Sequence, residues 1–167
     1  MTLDAHSQQI LEQYRSLLQV FNDMAAAIPG KIRQFFDEAG IIVAALECRV
    51  KTESSLAGKL ELKGGKYRDL YDLTDILGIR VITFYIDDVD KVASVLERLF
   101  EIDWENSVDK RKAHEIDSFG YLSLHYICRI PESAYSDPEH PEVNKIRFEV
   151  QMRTVLQHAW ANMNHDT

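Results

Sequence analysis

The sequence predicts an α/β (α+β) fold, a single mixed β-sheet flanked by helices, and three observations lead there. Residues 76–86, "ILGIRVITFYI", are almost continuously apolar, as a central strand covered on both faces requires. Two other segments, "FGYLSLHYI" (119–127) and "KIRFEVQMRT" (145–154), alternate polar and apolar residues with a period of two. Stretches with helical apolar spacing are interleaved with these strands, which is the pattern of one sheet with helices packed against it.

In chain order, Ile10, Leu11, Tyr14, Leu17, Leu18, Phe21 and Met24 form a helical stripe over 7–28. "IPGK" (28–31) is expected to break that helix, with a second short helix running to a stop at Gly40. "IIVAALECRVK" (41–51) is β-rich and reads as a buried strand ending in basic residues. The polar stretch 52–70 is helical in pattern, with a loop at Gly64-Gly65. After strand 76–86, Asp87 and Asp88 are expected to cap a helix that buries Val89, Val92, Leu96 and Leu99. A proline-bearing loop (131–142) joins the two alternating strands, and a helix closes the sequence. The whole reads as one structural domain, 1–44 being an N-terminal helical segment and 45–167 the core.

Composition narrows the function. A chain of 167 residues with 46% hydrophobic residues suffices for one real core. The net charge of -8 excludes bulk nucleic-acid coating but leaves room for a local basic site. No apolar run approaches the ~18 residues of a membrane span, and "MTLDAHSQQILEQYRS" has no secretory h-region. Cys48 and Cys128 lack metal-ligand spacing and read as reduced core thiols of a cytoplasmic protein.

Three places set charge against the sheet. Tyr121, Ser123 and His125 share one strand face, and antiparallel pairing with 145–154 would add Glu149, Gln151 and Arg153 to it. Alternation alone leaves that face open between a solvated surface and the floor of a site. Asp75 stands at the mouth of the most apolar strand. It is either a turn residue or, with a second strand's Glu, one of the carboxylates that hold Mg²⁺ beside phosphates. Arg80 interrupts the same run, where a guanidinium is costly unless it pairs, stacks or lines a cavity. Arg49, Lys51, Lys59, Lys63 and Lys66, with Ser54 and Ser55, form either a solvated face or a polyphosphate site, without the glycines of a Walker loop. His158 and His165 lack zinc-protease spacing and are read as packing residues, and no Ser-His-Asp set is legible.

Taken in order, roughly over residues 45–166, these segments resemble the synthetase domain of the RelA/SpoT family, the alarmone synthetases. "RVKTESSLAGK" matches the family's ATP-site pattern, and "DILGIR", "GYLSLH" and "EVQMRT" match its next three motifs. "QHAWANMNHD" resembles its His-x-Trp-Ala helix, with Asn162 and Asn164 where acidic residues are common. The resemblance implies a nucleotidyltransferase-like fold for 45–167 and a pyrophosphokinase that moves the β,γ-pyrophosphate of ATP to a ribose 3′-hydroxyl of GDP or GTP. Carried over, Arg49 and Arg80 would hold adenine between guanidinium planes, and Lys51, Ser55 and Lys59 would neutralise the triphosphate. Asp75 and Glu149 would hold Mg²⁺ (or Mn²⁺), with Glu149 also the base. Tyr121 would stack on the acceptor base, His125 and the basic run Lys110, Arg111 and Lys112 would meet acceptor phosphates, and Ser123, Gln151 and Arg153 would support the site. Phe119 and Leu122, flanking Gly-Tyr, resemble a subset with toxin-like members acting on adenine nucleotides or tRNA 3′ ends. The acceptor is thus a guanine nucleotide, an adenine nucleotide or tRNA; an inactive nucleotide- or RNA-sensing domain is the reading from another class. A homo-oligomer is a further expectation, and a membrane partner is not.

Overall fold

The computed structural model describes residues 2–109 and 123–163, and its first element corrects the sequence reading. Helix α1 runs unbroken from Ala5 to Ala39, through Pro29. Asp4 caps its start, accepting from the Ser7 amide at 2.8 Å, and Gly40 ends it in the left-handed region (φ 71°), the predicted stop. An interior proline costs about 3 kcal/mol. Ile28, Ile32 and Phe36 nevertheless extend the buried stripe of Ile10, Tyr14, Phe21 and Met24. Burying three such side chains returns roughly 1.5–3 kcal/mol each, so tertiary burial overrides the local break.

Among the described residues six strands form one mixed sheet: β1 (Val43–Val50), β2 (Leu77–Thr83), β3 (Glu101–Ile102), β4 (Val108–Asp109), β5 (Leu124–Arg129) and β6 (Arg147–Thr154). Their order is β1-β2-β6-β5-β3, with β4 also on β5; β2 and β6 run parallel and the other pairs antiparallel. The predicted antiparallel pairing of β5 with β6 is present, His125 lying opposite Gln151. Two strand environments differ from expectation. β1 is an edge strand of alternately half-buried and exposed residues, because it has a neighbour on one side only. β2 is covered fully on one face, by the helices, whereas Gly78 and Arg80 on the other stay half-open.

Among the described residues four more helices pack around the sheet: α2 (Glu53–Lys63), α3 (Ile86–Leu99), α4 (Glu142–Lys145) and α5 (Val155–Met163). Asp87 and Asp88 lie in the first turn of α3 rather than at its cap, which is Tyr85. There they still oppose the positive helix end. Val89, Val92, Leu96 and Leu99 are buried as predicted, and Gly64–Lys66 is a 3₁₀ turn instead of an open loop.

α1 and α3 pack on one face of the sheet. Phe148 of β6 is fully buried in that core and meets Phe100 edge to face at 5.2 Å. Phe148→Ala is expected to cost about 3–5 kcal/mol, measured as a lower denaturant midpoint at unchanged slope. Cys48 and Cys128 are free thiols, as expected, and burial pushes the Cys128 pKa upward. Among the described residues no helix is long and apolar enough to cross a membrane.

Candidate functional site

The face of the sheet opposite α1 and α3 collects the polar residues. Register aligns them in rows: Glu47, Arg80, Gln151 and His125 across β1-β2-β6-β5, and beside them Arg49, Gly78, Glu149 and Ile127. Cross-strand partners share a face, so strands distant in sequence meet in one surface. Over it opens a cleft of about 510 Å³, walled by Glu47, Arg49, Asp75, Gly78, Arg80, Glu149 and Gln151, with Asn162 of α5 at its rim.

The basic end is built where β1 passes into α2. Tyr14 of α1 donates its hydroxyl to the Lys51 carbonyl at 2.7 Å, and the Lys51 amide donates to the Ile76 carbonyl at 2.7 Å. Thr52 then caps α2, accepting from the Ser55 amide at 3.2 Å. A bidentate Arg15–Glu53 pair, both bonds 2.8 Å, ties α2 to α1. Two turns along, α2 delivers Lys59, whose Nζ stands 2.7 Å from Asp75 Oδ2; Lys51 Nζ is 3.4 Å from the same oxygen. Burial pushes the Asp75 carboxyl up, but the Lys59 and Lys51 ammoniums outweigh it and hold the pKa below its usual value. Lys59 is displaced the other way: burial lowers it and Asp75 raises it, with a net rise.

On β6 a chain of hydrogen bonds orders the carboxylate. Arg153 donates to Gln151 Oε1 at 3.0 Å, and Gln151 Nε2 donates to Glu149 Oε1 at 2.8 Å. On β5, Ser123 Oγ and His125 Nε2 lie 3.1 Å apart. Arg80 Nη1 is 3.5 Å from Glu47 Oε1.

The parts fit a hard divalent cation. Asp75 Oδ2 is occupied by the lysines, whereas Oδ1 is buried with no hydrogen-bond partner among the described residues. Asp75 and Glu149 line the same cleft. Two carboxylates with room for waters and phosphate oxygens are what Mg²⁺ accepts.

Arg49, Asp75, Arg80, Glu149 and Gln151 therefore come together as predicted, and Lys51 and Lys59 join them through Asp75. Ser55 stands at the start of α2, while Ser123, His125 and Arg153 extend the polar surface. Lys110, Arg111, Lys112 and Tyr121 lie outside the described residues. Glu47 and Gly78 were missed, although each sits two residues before a predicted arginine and hence on its face. Asn162 could not be found from spacing. A Cβ on Gly78 would meet nothing within 4 Å and would enter the cleft floor. Gly78→Val is expected to keep the melting temperature and raise the KM for a cleft-bound nucleotide at least about tenfold, ~1.4 kcal/mol.

The sequence model described as "Region found in RelA / SpoT proteins" matches residues 48–167. GTP pyrophosphokinase YwaC of Bacillus subtilis is 25% identical over 164 residues, covering 93% of this chain and 75% of that protein. The structure of small alarmone synthetase 2 from B. subtilis superposes with a TM-score of 0.70 at 26% identity, over 91% of this chain and 78% of that one. Small alarmone synthetase 1 from B. subtilis, solved with its product pppGpp, gives a TM-score of 0.70 at 23% identity. That match covers 92% of this chain and 80% of the other, and shows the shared fold.

Proposed function

The chain belongs to the RelA/SpoT family, and we propose that it is an ATP-dependent pyrophosphokinase making (p)ppGpp from GDP or GTP. The observation that carries this reading is one cleft lined by Arg49 and Arg80, by Asp75 with its two lysines, and by Glu149. Phosphoryl transfer needs charge neutralisation and in-line positioning more than a covalent nucleophile, and the cations gathered at this cleft support that reading.

Arg49 and Arg80 receive the adenine between their guanidinium planes. Lys51 and Lys59 turn their ammoniums to the phosphates, with Ser55 at the α2 start as a hydroxyl donor. Asp75 and Glu149 would hold Mg²⁺ (or Mn²⁺), which would supply charge neutralisation at the phosphate oxygens. Glu149, oriented by Gln151, takes the proton of the acceptor's 3′-hydroxyl. That oxygen bonds to the β-phosphorus, the bond from the β-phosphorus to the α–β bridging oxygen breaks, and AMP leaves. His125 faces the acceptor's phosphates, with Tyr121 and the Lys110, Arg111 and Lys112 run assigned to its base and charge. A cytoplasmic location belongs to the same proposal.

The test offers γ-labelled ATP and Mg²⁺ with GDP, GTP, ADP or deacylated tRNA. Label on GDP or GTP with release of AMP is the expected result. Label on tRNA or ADP alone would move the acceptor to the toxin-like alternatives, and label on none would overturn the reading.

A further inference from the structure

The residues of the cleft come from β1 onward, yet the segment that carries its cations rests on α1. His6, Gln13 and Tyr14 stand seven and eight residues apart, two helical turns, so they share one face of α1. Each of the three ends on a main-chain group of residues 51–70. Tyr14 donates to the Lys51 carbonyl at 2.7 Å, Gln13 Oε1 accepts from the Leu70 amide at 2.9 Å, and His6 Nε2 meets the Tyr67 carbonyl at 2.6 Å. α1 thereby fastens both ends of the stretch that presents Lys51, Ser55 and Lys59.

The consequence is sharpest at Lys51. Its amide donates to the carbonyl of Ile76, the residue beside Asp75, and its carbonyl accepts from Tyr14. With both main-chain polar groups engaged, the direction in which the side chain leaves is set, and Nζ ends 3.4 Å from Asp75 Oδ2. Tyr14 is buried, and burial together with the Glu53 carboxylate pushes its hydroxyl pKa up, so it remains a proton donor. At the other end, Leu70 opens the 3₁₀ turn Leu70–Asp72 that leads to Asp75, while the Tyr67 ring centre lies 5.8 Å from Lys59 Nζ. The cluster of Lys51, Lys59 and Asp75 therefore stands on main-chain anchors supplied by α1.

We propose that Tyr14 and Gln13 are positioning residues for the donor's phosphates: by fixing the main chain at Lys51 and Leu70 they hold the Lys51 and Lys59 ammoniums converged before nucleotide arrives. Neither side chain touches the nucleotide; each acts through the lysines. Cations set in advance spare binding the ordering of two long, rotamer-rich side chains. Without its anchor the Lys51 carbonyl is released, and that ordering falls to the binding step. This role rests on the assignment of Lys51 and Lys59 to the donor triphosphate.

The experiment measures binding of the α,β-methylene analogue of ATP by calorimetry, alongside label transfer and thermal melts, for wild type, Tyr14→Phe, Gln13→Met, Gln13→Glu and Ile28→Val. Tyr14→Phe and Gln13→Met should each weaken analogue binding and raise the KM for ATP about three- to tenfold, the span of one lost hydrogen bond. The kcat and acceptor KM should stay near wild type. Gln13→Glu, which keeps an acceptor oxygen for the Leu70 amide, should recover most of the loss. Ile28→Val removes one buried methyl from α1 two turns and more beyond the clamping face. It should lower the melting temperature by a similar few degrees and leave analogue affinity unchanged, which separates positioning from a helix merely loosened. Lower melting temperatures with unchanged analogue affinity in Tyr14→Phe and Gln13→Met would overturn the proposal. So would a matching KM rise in Ile28→Val, no recovery in Gln13→Glu, or a loss confined to the acceptor KM. Wild type that binds the analogue but transfers no label would defeat the pyrophosphokinase reading alone, and the affinities would then decide the clamp. Wild type that does not bind the analogue would defeat both.

Discussion

Glu149→Gln is expected to lower pyrophosphate transfer by about 10²–10⁴-fold, the contribution of a positioned general base, while the protein stays folded and still binds nucleotide. The substitution is close to isosteric, and the local bond survives it. Gln151 Nε2 donates to Glu149 Oε1 at 2.8 Å, and a glutamine at 149 presents a carbonyl oxygen to the same donor. The upstream bond, Arg153 to Gln151 at 3.0 Å, is untouched. What disappears is the negative charge and the capacity to take a proton. Across the strand boundary Glu149 lies opposite Gly78, which has no side chain to cover the carboxylate. Glu149→Asp sharpens the test, since it keeps charge and basicity but withdraws the carboxylate by one methylene. It should retain more activity than Gln at an elevated acceptor KM. Single-turnover rates with labelled ATP decide the matter: a Gln variant within tenfold of wild type would remove Glu149 from its role.

The legibility of this site followed the range of the interaction behind each feature. Strand faces were readable because a period of two is local, and β5 with β6 paired as alternation implied. The stop at Gly40 was readable for the same reason, since an αL residue is a property of one position. Helix α1 was misread at Pro29 because the local penalty is visible in four residues, whereas the buried surface that overrides it belongs to the sheet and α3. The burial of β1 was misjudged likewise. An edge strand and a central one share composition, and only the neighbour count separates them. The parallel β2–β6 pairing, which sets Arg80 beside Gln151 and Gly78 beside Glu149, left no trace in either segment. Lys51, Lys59 and Asp75 were predicted as separate phosphate and metal ligands. In the fold they form one charge cluster, a relation that depends on α2 turning back over the start of β2.

That cluster gives Asp75→Asn a double consequence. Transfer should fall at least about 10²-fold, as expected when a preorganised electrostatic group at the phosphates is removed. Stability should change as well, because the amide leaves two ammoniums, at 2.7 and 3.4 Å from the former Oδ2, without their counter-charge. The pair is partly open to solvent, so the loss is set at about 1–2 kcal/mol, between exposed and buried ion pairs. Its pH dependence has a definite sign. Asp75 has a folded-state pKa below its unfolded value, so its stabilisation is present above the unfolded carboxylate pKa of about 3.9 and is lost as pH falls through the depressed folded value. Lys59, raised in the fold, keeps its share below the unfolded lysine pKa and loses it only in strong alkali. The stability gap between wild type and Asp75→Asn should therefore be flat between about pH 5 and 7 and close below about pH 4. Denaturant titrations in chelator measure that gap without nucleotide or metal. A gap that instead opened on acidification would mean that Asp75 is not held as a carboxylate between the two lysines, and the cluster could not then hand its ammoniums to a triphosphate.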